Sequence, residues 1–187
     1  MTLPAPRRRP TPRGWAVALL LLFATACGGA GEGVEGVHLD VPSGWSPSTP
    51  PPSDGEVAAS AGWRGGRAEA STLQGVVGCG PGTVADLASA AVTGDRSPLV
   101  VTDAAVDTDV EVSGADAAIG LTLQIGAGRQ DDARTVEVHG RYAQAGTALV
   151  LVELSTPVRE SDPALVAATF DSLRLDAEAL GTACPQP

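Results

Sequence analysis

Val136-Glu137-Val138-His139-Gly140-Arg141-Tyr142-Ala143-Gln144-Ala145-Gly146-Thr147-Ala148-Leu149-Val150-Leu151-Val152-Glu153-Leu154 joins two kinds of strand through one turn. In the first half Val136, Val138 and Tyr142 alternate with Glu137, His139 and Arg141, the period-two pattern of a half-buried strand. Gln144-Ala145-Gly146-Thr147 is a turn signal. Ala148 to Leu154 then carries apolar residues on both faces, as a central strand covered on both sides does. The stretch predicts an antiparallel hairpin in the middle of a sheet.

The flanking sequence extends that sheet. Ile119, Leu121, Leu123 and Ile125 alternate with Gly120, Thr122 and Gln124; before them Leu99 to Thr102 and Val106 to Val112 predict two further strands. Glu56 to Trp63 and Arg67 to Val77 predict a pair of strands separated by the turn residues Arg64-Gly65-Gly66. Val37 to Val41 predicts an opening strand, stopped by Pro42-Ser43-Gly44 and followed by Trp45. Ser46 to Gly55, with Pro47, Pro50, Pro51 and Pro52, reads as an extended loop. Thr83 and Asp86 open a helix whose stripe is Val84, Leu87, Ala88, Ala91 and Val92, and Gly94 ends it. Asp162-Pro163 starts a second helix with stripe Leu165, Val166, Thr169, Phe170 and Leu173, and Leu173 to Leu175 predicts a last short strand. Many antiparallel strands and two helices make the fold class α+β, a sheet flanked by helices.

The N-terminus has a different composition. Arg7-Arg8-Arg9-Pro10-Thr11-Pro12-Arg13 precedes an apolar run ending in small residues and Cys27, the three parts of an export signal. Trp15 to Ala26 supplies twelve residues, against about 20 for a transmembrane helix. Ala24-Thr25-Ala26-Cys27 resembles the lipobox of bacterial lipoproteins. That resemblance implies a diacylglycerol on the Cys27 sulfur, cleavage before it, and a place on the extracytoplasmic face of the cell membrane. Gly28-Gly29-Ala30-Gly31-Glu32-Gly33 suits a flexible tether. The expected organisation is a signal peptide over 1–26, a lipidated cysteine and tether over 27–34, a folded domain over 35–176, and a C-terminal tail over 177–187.

Without residues 1–26 the chain keeps eight of its 12 arginines against 22 acidic residues, a formal net charge of −14. Such a surface repels nucleic acid and anionic headgroups, which excludes nucleic-acid binding. The remaining aromatics are Trp45, Trp63, Tyr142 and Phe170, so the core must be built from Val, Leu, Ala and Ile. A domain of this size buries enough surface to fold with no cofactor. With Cys27 lipidated, Cys79 and Cys184 remain as an even pair in an oxidising space and are expected to form a disulfide. It would tie the C-terminal tail to the body. Trp45 is expected to fill the core.

Leu39-Asp40-Val41-Pro42-Ser43-Gly44-Trp45 resembles the opening strand, proline, glycine and tryptophan of the PsbP-like family of α/β/α sandwiches, which includes LpqN-type lipoproteins of actinobacteria. Gly114 to Ile125 is similar to the family's middle strand, Thr135 to Pro157 to its long hairpin, and Asp162 to Leu175 to its closing helix and strand. The resemblance spans about residues 35 to 176. It implies a binding or scaffolding domain with no shared catalytic residues.

Other constellations were weighed for chemistry. Asp103, Asp107, Asp109 and Glu111 have the oxygen spacing of a hard-cation loop. An EF-hand counted from Asp107 needs Gly where Val112 stands and Glu where Ala118 stands, so the carboxylates read as the solvated face of an edge strand. His38 and His139 lie on polar strand faces beside Asp40 and Glu137, and neither is helically paired with a second zinc ligand. No metal site is assigned. Gly75-Val76-Val77-Gly78-Cys79-Gly80-Pro81-Gly82 lacks the Lys-Ser/Thr ending of a phosphate loop and reads as a flexible turn held by Cys79. No serine lies in Gly-x-Ser-x-Gly. The expected function is a non-enzymatic, lipid-anchored binding or scaffolding domain of the cell envelope, with an envelope protein as partner. The alternative is a carrier of a small lipophilic ligand between helix and sheet.

Overall fold

The computed structural model describes residues 34–49, 57–94, 99–126 and 135–185. The signal segment, Cys27, the tether up to residue 33 and residues 50–56 of the proline-rich loop lie outside them; Val34, read as the last tether residue, is buried in the core. In chain order the strands are β1 (Val37–His38), β2 (Ser46–Ser48), β3 (Val57–Gly65), β4 (Ser71–Cys79), β5 (Val100–Asp107), β6 (Ala117–Gly126), β7 (Val136–Ala145), β8 (Ala148–Pro157) and β9 (Arg174–Leu175). The helices are α1 (Val84–Thr93), α2 (Pro163–Asp171) and α3 (Ala177–Ala183).

The predicted hairpin lies at the middle of the sheet. β7 and β8 pair from Val136↔Pro157 to Ala145↔Ala148, closing on a two-residue turn with Gly146 at φ 60°. The seven-stranded sheet runs β2-β3-β4-β8-β7-β6-β5, and every neighbouring pair is antiparallel. β1 and β9 pair separately, Val37 opposite Leu175.

Alternation sorts the core into two layers. On one face Ala148, Val150, Val152 and Leu154 are wholly buried with Leu73, Val77 and Ala143, against Phe170, Leu173, Leu175 and Leu180 from α2, β9 and α3. On the other, Leu121, Leu123, Ile125, Val138 and Tyr142 pack beneath Val84 of α1, with Leu87, Ala91 and Val92 beside it. Each such aliphatic side chain contributes roughly 1.5–3 kcal/mol by burial. The result is an α/β/α sandwich. α1 covers β6 and β7, so Leu149 and Leu151 of β8 are only half-buried on its side.

The start of α1 follows its sequence signal. Thr83 accepts from the Asp86 N–H, and Asp86 accepts from the Thr83 N–H and hydroxyl, a reciprocal capping box. These bonds to Thr83 hold the Asp86 carboxyl below its ordinary pKa.

Several boundaries differ from the sequence reading. The strands expected at 99–102 and 106–112 are one strand, β5, because the Asp109 N–H turns back onto Asp107 Oδ1 at 3.0 Å. Beyond it the valines anchor a loop, with Val112 buried against the α2 and α3 layer. The Gly-rich segment is strand as far as Cys79, so only Gly80 to Gly82 turns. Arg67 to Glu69 is a 3-10 turn, and β4 begins at Ser71. The opening strand is short and leaves the main sheet to pair with β9. The middle strand starts at Ala117 rather than Gly114.

The C-terminal tail is a helix, α3. Asp176 caps it by accepting from the Glu178 and Ala179 N–H groups, and Leu180 is wholly buried. Cys79 and Cys184 stand with Cα atoms 5.3 Å apart and their sulfurs bonded, which ties α3 to the end of β4.

Trp45 takes an intermediate position. The Trp45 N–H donates to Pro42 O at 3.2 Å across a turn with Gly44 at φ 81°, which favours glycine there. Its indole is half-buried over Gly65, where a Cβ would come within 2.4 Å of the ring. Of the two described tryptophans, Trp63 is the buried one. Trp45→Ala is therefore expected to cost about 2–3 kcal/mol, less than a wholly buried aromatic. Gly65→Ala should destabilise in the same direction by displacing the ring. Thermal melts check both, and an unchanged curve for either would contradict this packing.

Candidate functional site: a charged cleft between α2 and the β5–β6 connection

A cleft of about 960 Å³ opens where residues 110–117 and the end of α2 lean over β6 and β7. One wall is pinned at two places. Leu175 N–H donates to Ser113 O at 2.8 Å, which fastens the connection to β9. Asp116 N–H donates to Gln144 O at 2.7 Å, and the Asp116 carboxylate accepts from Gly146 N–H at 2.7 Å, which fastens it to the β7–β8 turn.

Gly114 sits between these anchors at φ 83°, and a Cβ there would stand 2.0 Å from Leu175 O. Gly114→Ala combines a disfavoured backbone with a backbone clash. It is expected to cost on the order of 1–3 kcal/mol and to detach the wall from β9. Faster amide exchange at Leu175 is the readout; unchanged protection would contradict the assignment.

Arg141 lies at the base of the cleft. It projects from β7 on the face opposite α1 and pairs across the ladder with Gly120, where a Cβ would sit 2.8 Å from Nη1. The guanidinium lies 4.8 Å from the Phe170 ring centroid, a cation–π contact. Nη1 donates to Gly140 O at 3.2 Å. Half-burial pulls the Arg141 pKa below its ordinary value, while Asp107 and Asp171 act in the opposite sense. No ion pair within 4 Å joins it to a described carboxylate; the pair found is His139–Glu137. Arg174, Glu111, Asp116 and Asp171 line the cleft as exposed residues.

Sequence reading passed over Arg141 because an arginine on an alternating strand reads as a solvated residue. The signal was Gly120, a glycine inside a strand, which marks a close approach.

The other sequence candidates do not converge. Asp103 and Asp107 lie on edge strand β5, Asp109 and Glu111 beyond it, and all four are exposed. Among the described residues no group of three or more His, Cys, Asp or Glu is placed to hold a metal ion. His38 is exposed on β1, whereas His139 is half-buried on β7. His139 Nδ1 lies 3.3 Å from Thr122 Oγ1, and Nε2 lies 3.1 Å from Glu137 Oε2 without hydrogen-bond geometry. Ser161 Oγ donates to the same carboxylate. The order hydroxyl, imidazole, carboxylate resembles a nucleophile and its base, but neither described cleft is lined by any of these residues. The sequence paired His139 with Glu137 but gave no sign of Thr122 or Ser161, which come from β6 and the approach to α2.

On the α1 side of the sheet a smaller cleft of about 330 Å³ lies among Ser48, Arg64, Thr72, Gln74 and Ser155. Beside it Gln74 Nε2 and Tyr142 OH donate to the two Glu153 oxygens at 2.7 and 2.8 Å. Both clefts are open, and the larger mixes charged groups with apolar ones such as Val110, Val112, Phe170 and Leu173.

The architecture is that of the PsbP-like α+β sandwiches. No protein-family model matches the chain, and no curated protein does. Among solved structures it is similar to the solution structure of cyanobacterial PsbP (CyanoP) from Synechocystis sp. PCC 6803. That likeness covers 82% of this chain and 99% of that one at 16% identity, with a TM-score of 0.52. The likeness is one of fold.

Proposed function

We propose that this protein is a lipoprotein anchored on the outer face of the bacterial cell membrane, and that its PsbP-like domain is a non-enzymatic binding module working through the charged cleft. The observation that carries the reading is the make-up of that cleft. It is wide and open, its base holds a cation against an aromatic ring, and neither histidine nor cysteine lines it. Its carboxylates are exposed, whereas general acid–base work favours a group tuned by burial. The lipobox-like Ala24-Thr25-Ala26-Cys27 supports the anchor, and the resemblance of Leu39 to Trp45 to the opening of the family that includes LpqN-type lipoproteins supports the envelope setting. A lipophilic cargo is the weaker fit to an open cleft that carries two arginines and three carboxylates.

The test is capture from cross-linked envelopes by the full chain and by Ser113→Trp, which fills the cleft from an exposed position. The variant is expected to partition into detergent and melt like the parent while losing most of the captured partner. Identical capture by both proteins, or turnover of a substrate by the parent, would overturn the reading.

A further inference from the structure

Within the acidic molecule, Arg141 is a half-buried cation at the base of the cleft of about 960 Å³. A guanidinium has five N–H donors in a planar fork. Among the described residues Arg141 uses one bond, to its own neighbour's carbonyl, and rests one face on Phe170. Gly120 gives it room on the sheet, and Val110 and Asp107 crowd the same spot, so the fork is held in place. A second arginine, Arg174, lines the same cleft.

The anionic surroundings narrow what such a fork receives. Asp107 and Asp171 act on Arg141 directly, and Glu111 and Asp116 stand on the wall. A dianion such as phosphate doubles its attraction to the two arginines but also its repulsion from the four carboxylates, so their excess tells more against it than against a monoanion, and a carboxylate matches the fork bidentately. The same wall carboxylates favour a ligand whose other end is cationic. A volume of about 960 Å³ holds more than one amino acid.

Resting on the binding role proposed for this cleft, we propose that its ligand is a short peptide bound by its free C-terminal carboxylate on Arg141, with its amino end toward Glu111 and Asp116. Arg174 closes over the carboxylate from the rim. The charge pattern sets the polarity: the two arginines take the carboxylate, and Glu111 and Asp116 on the wall take the amino end.

The experiment titrates the full chain in detergent with trialanine, with trialanine amide and with inorganic phosphate, following the Arg141 Nε–H resonance. Trialanine is expected to give a saturable shift, with the amide and phosphate at least ten-fold weaker. Arg141→Gln should abolish the saturable response in the backbone resonances of Ala118 and Phe170, and Arg174→Ala should weaken binding several-fold. Equal response to acid and amide would overturn the proposal, as would phosphate binding as well as trialanine. The acid and amide comparison needs no variant, so it stands even if Arg141→Gln fails to fold. If the peptide arms fail while Ser113→Trp still loses its envelope partner, the carboxylate assignment falls alone. If Ser113→Trp also captures normally, the binding role of the cleft falls with it.

Discussion

Serine in place of Cys79 or Cys184 is expected to cost the domain as much as about 4–5 kcal/mol, the chain-entropy value for a loop of this length. The bond closes a separation of 105 residues that contains four of the seven main-sheet strands, β5 to β8. It also holds an element with few other ties. α3 rests on Leu180 in the core and on the Thr147 hydroxyl, which donates to Cys184 O at 2.7 Å. Without the bond, α3 should open before the sheet does. Urea unfolding with and without reductant measures the total, and amide exchange in α3 reports the order of loss. Superimposable unfolding curves would show that the sulfurs contribute nothing to stability.

Cys27→Ser is expected to move the protein completely from the detergent phase to the aqueous phase while its melting curve stays the same. The proposed anchor is covalent and lies before the first described residue, so its removal is expected to leave the described packing as it is. Membrane attachment of this kind needs two or more acyl chains, because a single chain holds only marginally. A domain carrying −14 has no electrostatic route back to an anionic surface. A variant that still partitions into detergent would mean that Trp15 to Ala26 is retained as a membrane segment.

How much the sequence disclosed varies by element, for physical reasons. The β7–β8 hairpin was legible because alternation, the Gly146 turn and a doubly apolar strand agree with one another. α1 and α2 were legible from caps and stripes, which are local signals. α3 was not, since the seven residues Ala177 to Ala183 make too short a window for a helical period. The Gly75 to Gly82 stretch misled because glycine ordinarily signals a turn; here Gly75 lies in a central strand beneath Val34.

The candidate site was least visible. Asp103, Asp107, Asp109 and Glu111 drew attention by crowding in sequence, yet they diverge in space. Arg141 is tens of residues away from Phe170 and Arg174 in sequence and meets them only when α2 and β9 fold over the sheet. Trp45 lay between its two readings, half-buried on Gly65, because an aromatic at a sheet margin can shield the core without entering it.

The binding role of the cleft is open to one decisive comparison in living cells. A photoreactive residue is placed at Ser113 on the cleft wall and, separately, at Ser60, exposed on β3 away from the cleft. Illumination is expected to yield one discrete cross-linked adduct from position 113, suppressed by Arg141→Gln, and none from position 60. Equal adducts from both positions, or an adduct from 113 indifferent to Arg141, would contradict a binding site in this cleft.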